Sequence, residues 1–375
     1  MFDSVRGNEV FIHQNLHDTE DNWFYWYFRV GKAASGKTLT FQFTHPWKQL
    51  RPLNVIGVRG PAISFDSGKT WSWLGVKTVK GASFTYTFPK GMHDIRFSFG
   101  MPYTEANLRS FLKGYQDNPN LETGIIARTR EGRPVERLHV GNIHGTPKYR
   151  VLLTARHHAC EMMANYLLEG IIESLLADGE EGEWFRKNVE VLIIPFVDKD
   201  GVEDGDQGKY RRGRDHNRDY LGESIYASTR EIRAYIPVWS DGKLVAAMDL
   251  HCPAIRGKEH EQIHLVGMED RNTAMEADKF AALLEKSARQ ELSDPLPYLT
   301  SYNLPFGTAW NTAANYSKGK SMARWAAEQN GIHLATTLEF PYANASGSPV
   351  TQKNTRVFGH TIARALYEYL RTLDK

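Results

Sequence analysis

Four short apolar runs constrain this chain most: "YRVLLTA" at 149–155, "VEVLIIPFV" at 189–197, "LVAAMDLH" at 244–251 and "ATTLEF" at 335–340. Runs of this kind read as strands buried on both faces. Between them lie stretches with helical patterning at 161–177, 229–237 and 273–290. In the first, Leu167, Leu168, Ile171, Ile172, Leu175 and Leu176 recur at helical spacing. Buried strands alternating with helices predict an α/β fold: a mixed, mainly parallel sheet flanked by helices.

The first hundred residues keep a different rhythm. "WFYWYFRV", "TLTFQF", "NVIGVRG", "SFTYTF" and "DIRFSF" are aromatic or β-branched, several alternate at period two, and Gly, Pro, Asp or Ser turns separate them. Close-spaced short strands without a helical stripe predict an all-β sandwich. The segment "YTEANLRSFLKGYQDNPNLET" reads as a helix followed by a polar, Pro-containing linker. We therefore expect a sandwich over 1–120 and an α/β domain over 121–375, which a length of 375 residues with 41% hydrophobic content accommodates.

Charge removes two function classes. Lys plus Arg is 46 against Asp plus Glu 44, with no long single-sign run, so neither nucleic-acid nor membrane-surface binding is expected. Cys160 and Cys252 are the only cysteines, which is no disulfide framework. The start lacks the apolar core of a signal peptide, and no stretch is long enough to span a bilayer. A cytoplasmic protein is the expectation; the sequence does not fix its oligomeric state.

Two motifs are decoys. "GKAASGKT", Gly31 to Thr38, matches the phosphate-loop pattern, but that chemistry needs the final Gly-Lys-Thr to open a helix. The alternating "LTFQF" follows instead, so a hairpin loop is predicted. "DKDGVEDGDQG" at 198–208 imitates a calcium loop, yet Val202 stands at a ligand position and no Glu closes it; a turn is predicted.

The chemistry gathers where strands end. His158 and Glu161 form H-x-x-E at a strand-to-helix junction, so both side chains can face one point above the sheet edge. Imidazole and carboxylate are what zinc takes in open sites, and His251, ending "LVAAMDLH", is a third candidate. His157 lacks the spacing and is taken as a structural neighbour. Asn217 and Arg218 offer an amide and a guanidinium fork suited to a carboxylate, although a solvated charged loop is the bland alternative. Glu339 is a carboxylate in an apolar strand, either an ion-pair partner or, next to a metal, a general base.

These segments together resemble the zinc metallocarboxypeptidases, and specifically their cytosolic branch. The matches are "ARHHACE", "DKDGV…KYRRGRDHNRDY", "MDLH", "NYSKGKSMARW" and "TTLEFPY", in the family's order; upstream, "YWYFRV" and "FSFGMPYTEANLRSFL" resemble the sandwich that precedes the catalytic domain in that branch. The resemblance implies one zinc per chain on His158, Glu161 and His251, with Glu339 as the base. Asn217 and Arg218 would grip the C-terminal carboxylate of a peptide or protein substrate. Arg211, with Arg212 as rival, would polarise the scissile carbonyl, Tyr316 would close over the substrate, and Asp215 would hydrogen-bond His158. Lys318, Lys320 and Arg324 would line the specificity pocket and favour a terminal Glu or Asp, with three cations that simply solvate a loop as the equally open alternative. Departures from the family are Ala159 and Cys160 for its Pro-Gly, His216 for an aliphatic residue and Cys252 for a small one. Two alternatives stay open: a zinc deacylase of the aspartoacylase type, and a binding protein using Trp23, Trp26, Trp71 and Trp73 with an inactive second domain.

Overall fold

A computed structural model describes residues 1–16, 18–19, 24–44 and 55–374. The N-terminal strands are β1 (Phe2–Arg6), β2 (Glu9–Ile12), β3 (Tyr27–Gly31), β4 (Thr38–Phe43), β5 (Ala62–Ser64), β6 (Ser72–Trp73), β7 (Val79–Lys80), β8 (Ser83–Thr87) and β9 (Asp94–Ser98). They make two sheets, β1-β2-β4-β8-β7 and β3-β9-β5-β6. Alternating aromatics meet between them: Phe28 lies 5.1 Å from Phe41, and Phe84 lies 5.2 Å from Phe97, ring centre to ring centre. Period-two aromatic patterning thus becomes a sandwich interior, as expected.

Three local expectations are corrected. The described part of "NVIGVRG" turns instead of extending, because Gly60 adopts φ +75° and its N–H bonds the carbonyl of Gly57 at 3.0 Å. Val55 and Ile56 are apolar there because they are buried, not because they form a strand. The segment after β3 is no hairpin, since β3 and β4 belong to different sheets and the loop arches between them. Finally, 198–208 is more than a turn: α4 (Lys199–Asp204) forms there, capped by the Asp198 side chain and ended by Gly205 in left-handed conformation. Trp26 and Trp71 are buried and Trp73 half-buried, as core residues; Trp23 lies outside the described residues.

Helix α1 (Glu105–Leu112) leads into the larger layer, with α2 (Met163–Leu176), α3 (Glu180–Asn188), α5 (Ala227–Ser240), α6 (Arg271–Gln290), α7 (Met322–Ala326) and α8 (Gln352–Thr372) around its sheet. The strands are β10 (Leu121–Arg128), β11 (Pro134–Gly141), β12 (Tyr149–Ala155), β13 (Val189–Ile194), β14 (Leu244–His251), β15 (His264–Val266) and β16 (Leu334–Glu339). Their order is β10-β11-β13-β12-β14-β16-β15, with the central β13-β12-β14-β16 parallel and the outer pairings antiparallel. Alternate strand residues serve opposite faces. Val151, Leu153 and Leu250 join the cluster with α2, α6 and α8, while Leu152, Ala247 and Ala335 join that of α5 and α7.

The chain leaves β12 for β13 on one side and returns to β14 on the other. That reversal opens a crevice at the carboxyl ends of β12 and β14, where open α/β sheets gather their ligands. The sandwich closes on the same end: Phe24 and Phe99 pack against Tyr342 at 5.5 and 5.0 Å, and one contiguous core cluster runs through both layers.

Candidate metal centre

Strand β12 stops at Ala155, and the next residue, Arg156, takes φ +62°, uncommon outside glycine. Its buried guanidinium holds the bend by donating to the carbonyls of Ala159 (2.9 Å) and Tyr103 (2.9 Å) and to Asn165 Oδ1 (2.7 Å). The bend sends His157 inward and His158 into the crevice. Glu161, fully buried, places Oε1 2.9 Å from His158 Nδ1 and Oε2 2.6 Å from His251 Nδ1. The three groups expected to ligate therefore converge, although more than ninety residues separate His158 from His251 in sequence.

The far nitrogen of each ring is also held. His158 Nε2 lies 3.0 Å from Asp215 Oδ2, and His251 Nε2 lies 2.6 Å from Asp249 Oδ2. A carboxylate on Nε2 keeps a proton there and leaves Nδ1, on the Glu161 side, as the atom that a metal can take, as ligation requires. Burial by itself would lower both histidine pKa values; the surrounding carboxylates outweigh it and raise them. Burial likewise opposes the charges of Glu161, Asp215 and Asp249, yet the neighbouring cations and imidazoles hold all three carboxyls below the ordinary range. The Nδ1 atoms of two imidazoles and the Glu161 carboxylate, backed by Asp215 and Asp249, form a donor set suited to a divalent cation.

A second group, His157, Asp249 and His251, is also close enough to hold an ion. Its atoms are already paired: His157 Nδ1 with Asp249 Oδ1 at 2.8 Å, His157 Nε2 with the Tyr220 hydroxyl at 2.8 Å, and Thr154 Oγ1 donating to Asp249 at 2.7 Å. All three members are buried, whereas His158 of the first group reaches the crevice.

Glu339 ends β16 as the register partner of His251, so its carboxylate stands beside the first triad. It is buried, and its Oε2 has no hydrogen-bond partner among the described residues. Such an atom is costly unless something uses it. Asn217 holds its Oδ1 on the Met322 N–H (2.9 Å) and its Nδ2 3.0 Å from His251 Nε2. Arg218 donates to carbonyls and an amide, through Asn315 O (3.1 Å), Asn217 O (2.7 Å) and Asn315 Oδ1 (3.3 Å). Among the described residues no carboxylate stands within ion-pair distance of it.

Tyr316 donates to Asn311 Oδ1 at 3.2 Å, and its ring lies between the guanidinium groups of Arg218 (5.0 Å) and Arg324 (4.1 Å). Arg324 pairs with Glu269 at 2.6 Å and Lys320 with Glu328 at 2.5 Å, while Lys318 is exposed. The cationic cluster expected from "SKGKSMARW" is thus largely neutralised where it lines a cavity of about 590 Å³ with Glu269, Asp270 and Glu328. Arg211 is not placed with the triad. It bonds Asp198, reaches Asp206 Oδ2 at 3.1 Å and lies 3.8 Å from Asp18. Arg212 is exposed. Sequence reasoning missed Asp249 and Lys209, whose Nζ stands 2.6 Å from Glu161 Oε1. The D-x-H spacing in "MDLH" was the available signal for Asp249.

Fold and site together define an α/β protein with a candidate metal centre at its sheet edge. The chain belongs to the zinc carboxypeptidase family, whose sequence profile matches residues 108–355. It is 25% identical over 238 residues to cytosolic carboxypeptidase 6 of Caenorhabditis elegans, covering 57% of this chain and 50% of that protein. It is 23% identical over 304 residues to cytosolic carboxypeptidase 3 of Bos taurus, covering 76% and 29%. The chain thus spans half or less of the length of these relatives. Among solved structures, a metallo-carboxypeptidase from Burkholderia cenocepacia matches with TM-score 0.78 at 18% identity, over 99% of this chain and 96% of that one. A metallo-carboxypeptidase from Pseudomonas aeruginosa, solved with (2-guanidinoethylmercapto)succinic acid, matches with TM-score 0.76 at 16% identity, over 99% and 96%. This likeness is one of fold, and it includes the N-terminal β-rich layer.

Proposed function

We propose that the chain is a zinc-dependent exopeptidase that removes the C-terminal residue of peptides or proteins, and that it works in the cytoplasm. The observation that carries this reading is the meeting of His158, Glu161 and His251 beside a Glu339 oxygen and an Arg218 that find, among the described residues, no hydrogen-bond partner and no carboxylate respectively. His158, Glu161 and His251 would hold one zinc; the paired, enclosed His157–Asp249 group would support His251, because a catalytic metal needs an open position. Bound there, zinc would supply Lewis acidity and an acidified water.

The chain's own groups do the rest. Arg218 and Asn217 hold the substrate's terminal carboxylate, which restricts cleavage to the last bond, since an internal segment would leave the guanidinium buried without a counter-charge. Glu339 accepts the proton of the attacking water and returns it to the leaving amine. Tyr316 covers the bound residue, and Asp215 keeps His158 in its ligating tautomer. Residues 1–120 act as a scaffold that shapes access to the cleft of residues 121–375. A terminal Glu or Asp remains the favoured substrate, because its side chain can replace the exposed Glu269 on Arg324, and exposed ion pairs contribute only about 0–1 kcal/mol.

Replacing Glu339 by Gln tests the reading. The variant should bind stoichiometric zinc and lose turnover on a panel of peptides ending in Glu, Leu and Lys; full activity would refute the assignment. N-acetyl-aspartate in the same assay separates the deacylase alternative, and wild-type protein that binds the peptides without cutting them would indicate a binding protein.

A further inference from the structure

The site contains a cation that its family resemblance does not supply. Arg211, expected to face the scissile carbonyl, is held among Asp198, Asp206 and Asp18. Lys209, two residues earlier, points into the crevice. Its Nζ lies 2.6 Å from Glu161 Oε1 and donates to the Cys252 carbonyl at 3.0 Å, and its side chain is 15% exposed. The charge of Glu339 is also close enough to act on it. Lys209 therefore stands against the carboxylate that would ligate the metal, within the field of the carboxylate that would move the proton.

This position is built by the backbone. Gly208 adopts φ +78°, and a Cβ added there would fall 2.2 Å from the Ala159 nitrogen. Only glycine lets the 205–212 loop lie this tightly on the turn carrying His158. The Cys160 N–H donates to the Gln207 carbonyl at 3.0 Å, and the Asp18 carboxylate takes the N–H groups of Gln207 (3.2 Å) and Gly208 (2.9 Å). Two segments far from this loop in sequence, Asp18 and the turn at His158–Cys160, thus clamp the two residues before Lys209.

We propose that Lys209 is a catalytic residue, its ammonium balancing the negative charge that gathers on the scissile carbonyl oxygen. This rests on the peptidase reading above. As the water oxygen bonds to the carbonyl carbon, the C=O π pair moves onto the carbonyl oxygen and Glu339 takes the water's proton. On collapse that pair re-forms the C=O bond, the C–N bond breaks, and Glu339 protonates the amine nitrogen. Lys209 keeps its proton throughout and contributes charge and a hydrogen bond. An ammonium is a compact point charge, suited to an oxygen that becomes anionic only in the transition state.

The test uses the full chain as wild type, Lys209→Met, Lys209→Arg and Glu339→Gln. Three readouts are needed: zinc affinity by competition with a chromophoric chelator, kcat and KM on the peptide panel, and affinity for phosphonate analogues of the same peptides. Lys209→Met should bind zinc as tightly as wild type or more tightly, because a cation has been removed from beside Glu161. Its kcat should fall about 100- to 1000-fold with KM nearly unchanged, as for loss of one oxyanion donor, and phosphonate affinity should fall in step with kcat/KM. Lys209→Arg should recover part of both. Unchanged kcat in Lys209→Met, or zinc affinity weakened enough to account for the lost activity, overturns the proposal; the second result would mean that the lysine only buttresses Glu161. If wild type cuts no peptide, the peptidase reading fails separately, and undiminished phosphonate affinity in Lys209→Met, or none in wild type, overturns the Lys209 assignment.

Discussion

Changing Asp249 to Asn perturbs one hydrogen atom at the metal centre. Asp249 is fully buried and accepts from Thr154 Oγ1 at 2.7 Å and His157 Nδ1 at 2.8 Å on one oxygen, and from His251 Nε2 at 2.6 Å on the other. Asparagine can keep the first two bonds through its carbonyl oxygen. Its NH2 group then faces His251, where a donor can no longer accept. The imidazole must offer a lone pair at Nε2 and move its proton to Nδ1, the atom that faces Glu161. Asn217, with Nδ2 3.0 Å from Nε2, favours the same switch. Zinc must reverse that tautomer before it can bind. Loss of such a supporting carboxylate costs about 10- to 100-fold in metal affinity, or roughly 1.4–2.7 kcal/mol. Chelator competition measures the affinity, and nitrogen NMR of the metal-free histidines reports which nitrogen carries the proton. A folded variant with wild-type zinc affinity and an Nε2-protonated His251 would refute the reasoning.

Two further outcomes are expected. Arg218→Met should lose about 2–5 kcal/mol in kcat/KM on peptides with a free C-terminus, the cost of removing one member of a buried charged pair, and should no longer distinguish them from amidated peptides; a retained preference for the free acid would remove Arg218 from the clamp. Burial holds the His216 pKa down at about 4, so it folds neutral while the unfolded chain protonates near its ordinary value of about 6.5. Its stabilising contribution is present above pH about 6.5 and is lost as pH falls toward 4, by about 2–3 kcal/mol at pH 4.5. His216→Phe, which keeps the stack on Tyr226 at 3.5 Å, should flatten that part of the urea-denaturation pH profile, and parallel profiles for the two proteins would contradict it.

What could be read from sequence was whatever is set by local pattern. Strands β12 and β14 fall where "YRVLLTA" and "LVAAMDLH" predict, because a strand buried on both faces leaves an unbroken apolar run. His158 and Glu161 were legible because one bend sets both. Pairing across loops was not legible. "DKDGVEDGDQGKYRRGRD" holds several Asp and several Arg, and no spacing rule says that Arg211 turns toward Asp198 and Asp206 while Lys209 reaches Glu161. Asp249 was hidden for the opposite reason, as one polar residue in an apolar strand that gives no sign of its neighbours. "NVIGVRG" misled because burial without strand pairing leaves the same apolar signature as a strand.

The join between the sandwich and the α/β layer bears on how the chain comes together during synthesis. Trp73 Nε1 donates to the Val350 carbonyl at 2.6 Å, Arg59 reaches Asn344 Oδ1 at 2.7 Å, and Phe24 and Phe99 rest on Tyr342. These partners leave the ribosome more than two hundred residues apart. The first-made layer must therefore wait, with aromatic surface still wet, until nearly all the α/β layer has been translated. Long-range closure of this kind is slow and exposes sticky intermediates. Expression of the N-terminal layer alone should accordingly call on chaperones more than expression of the whole.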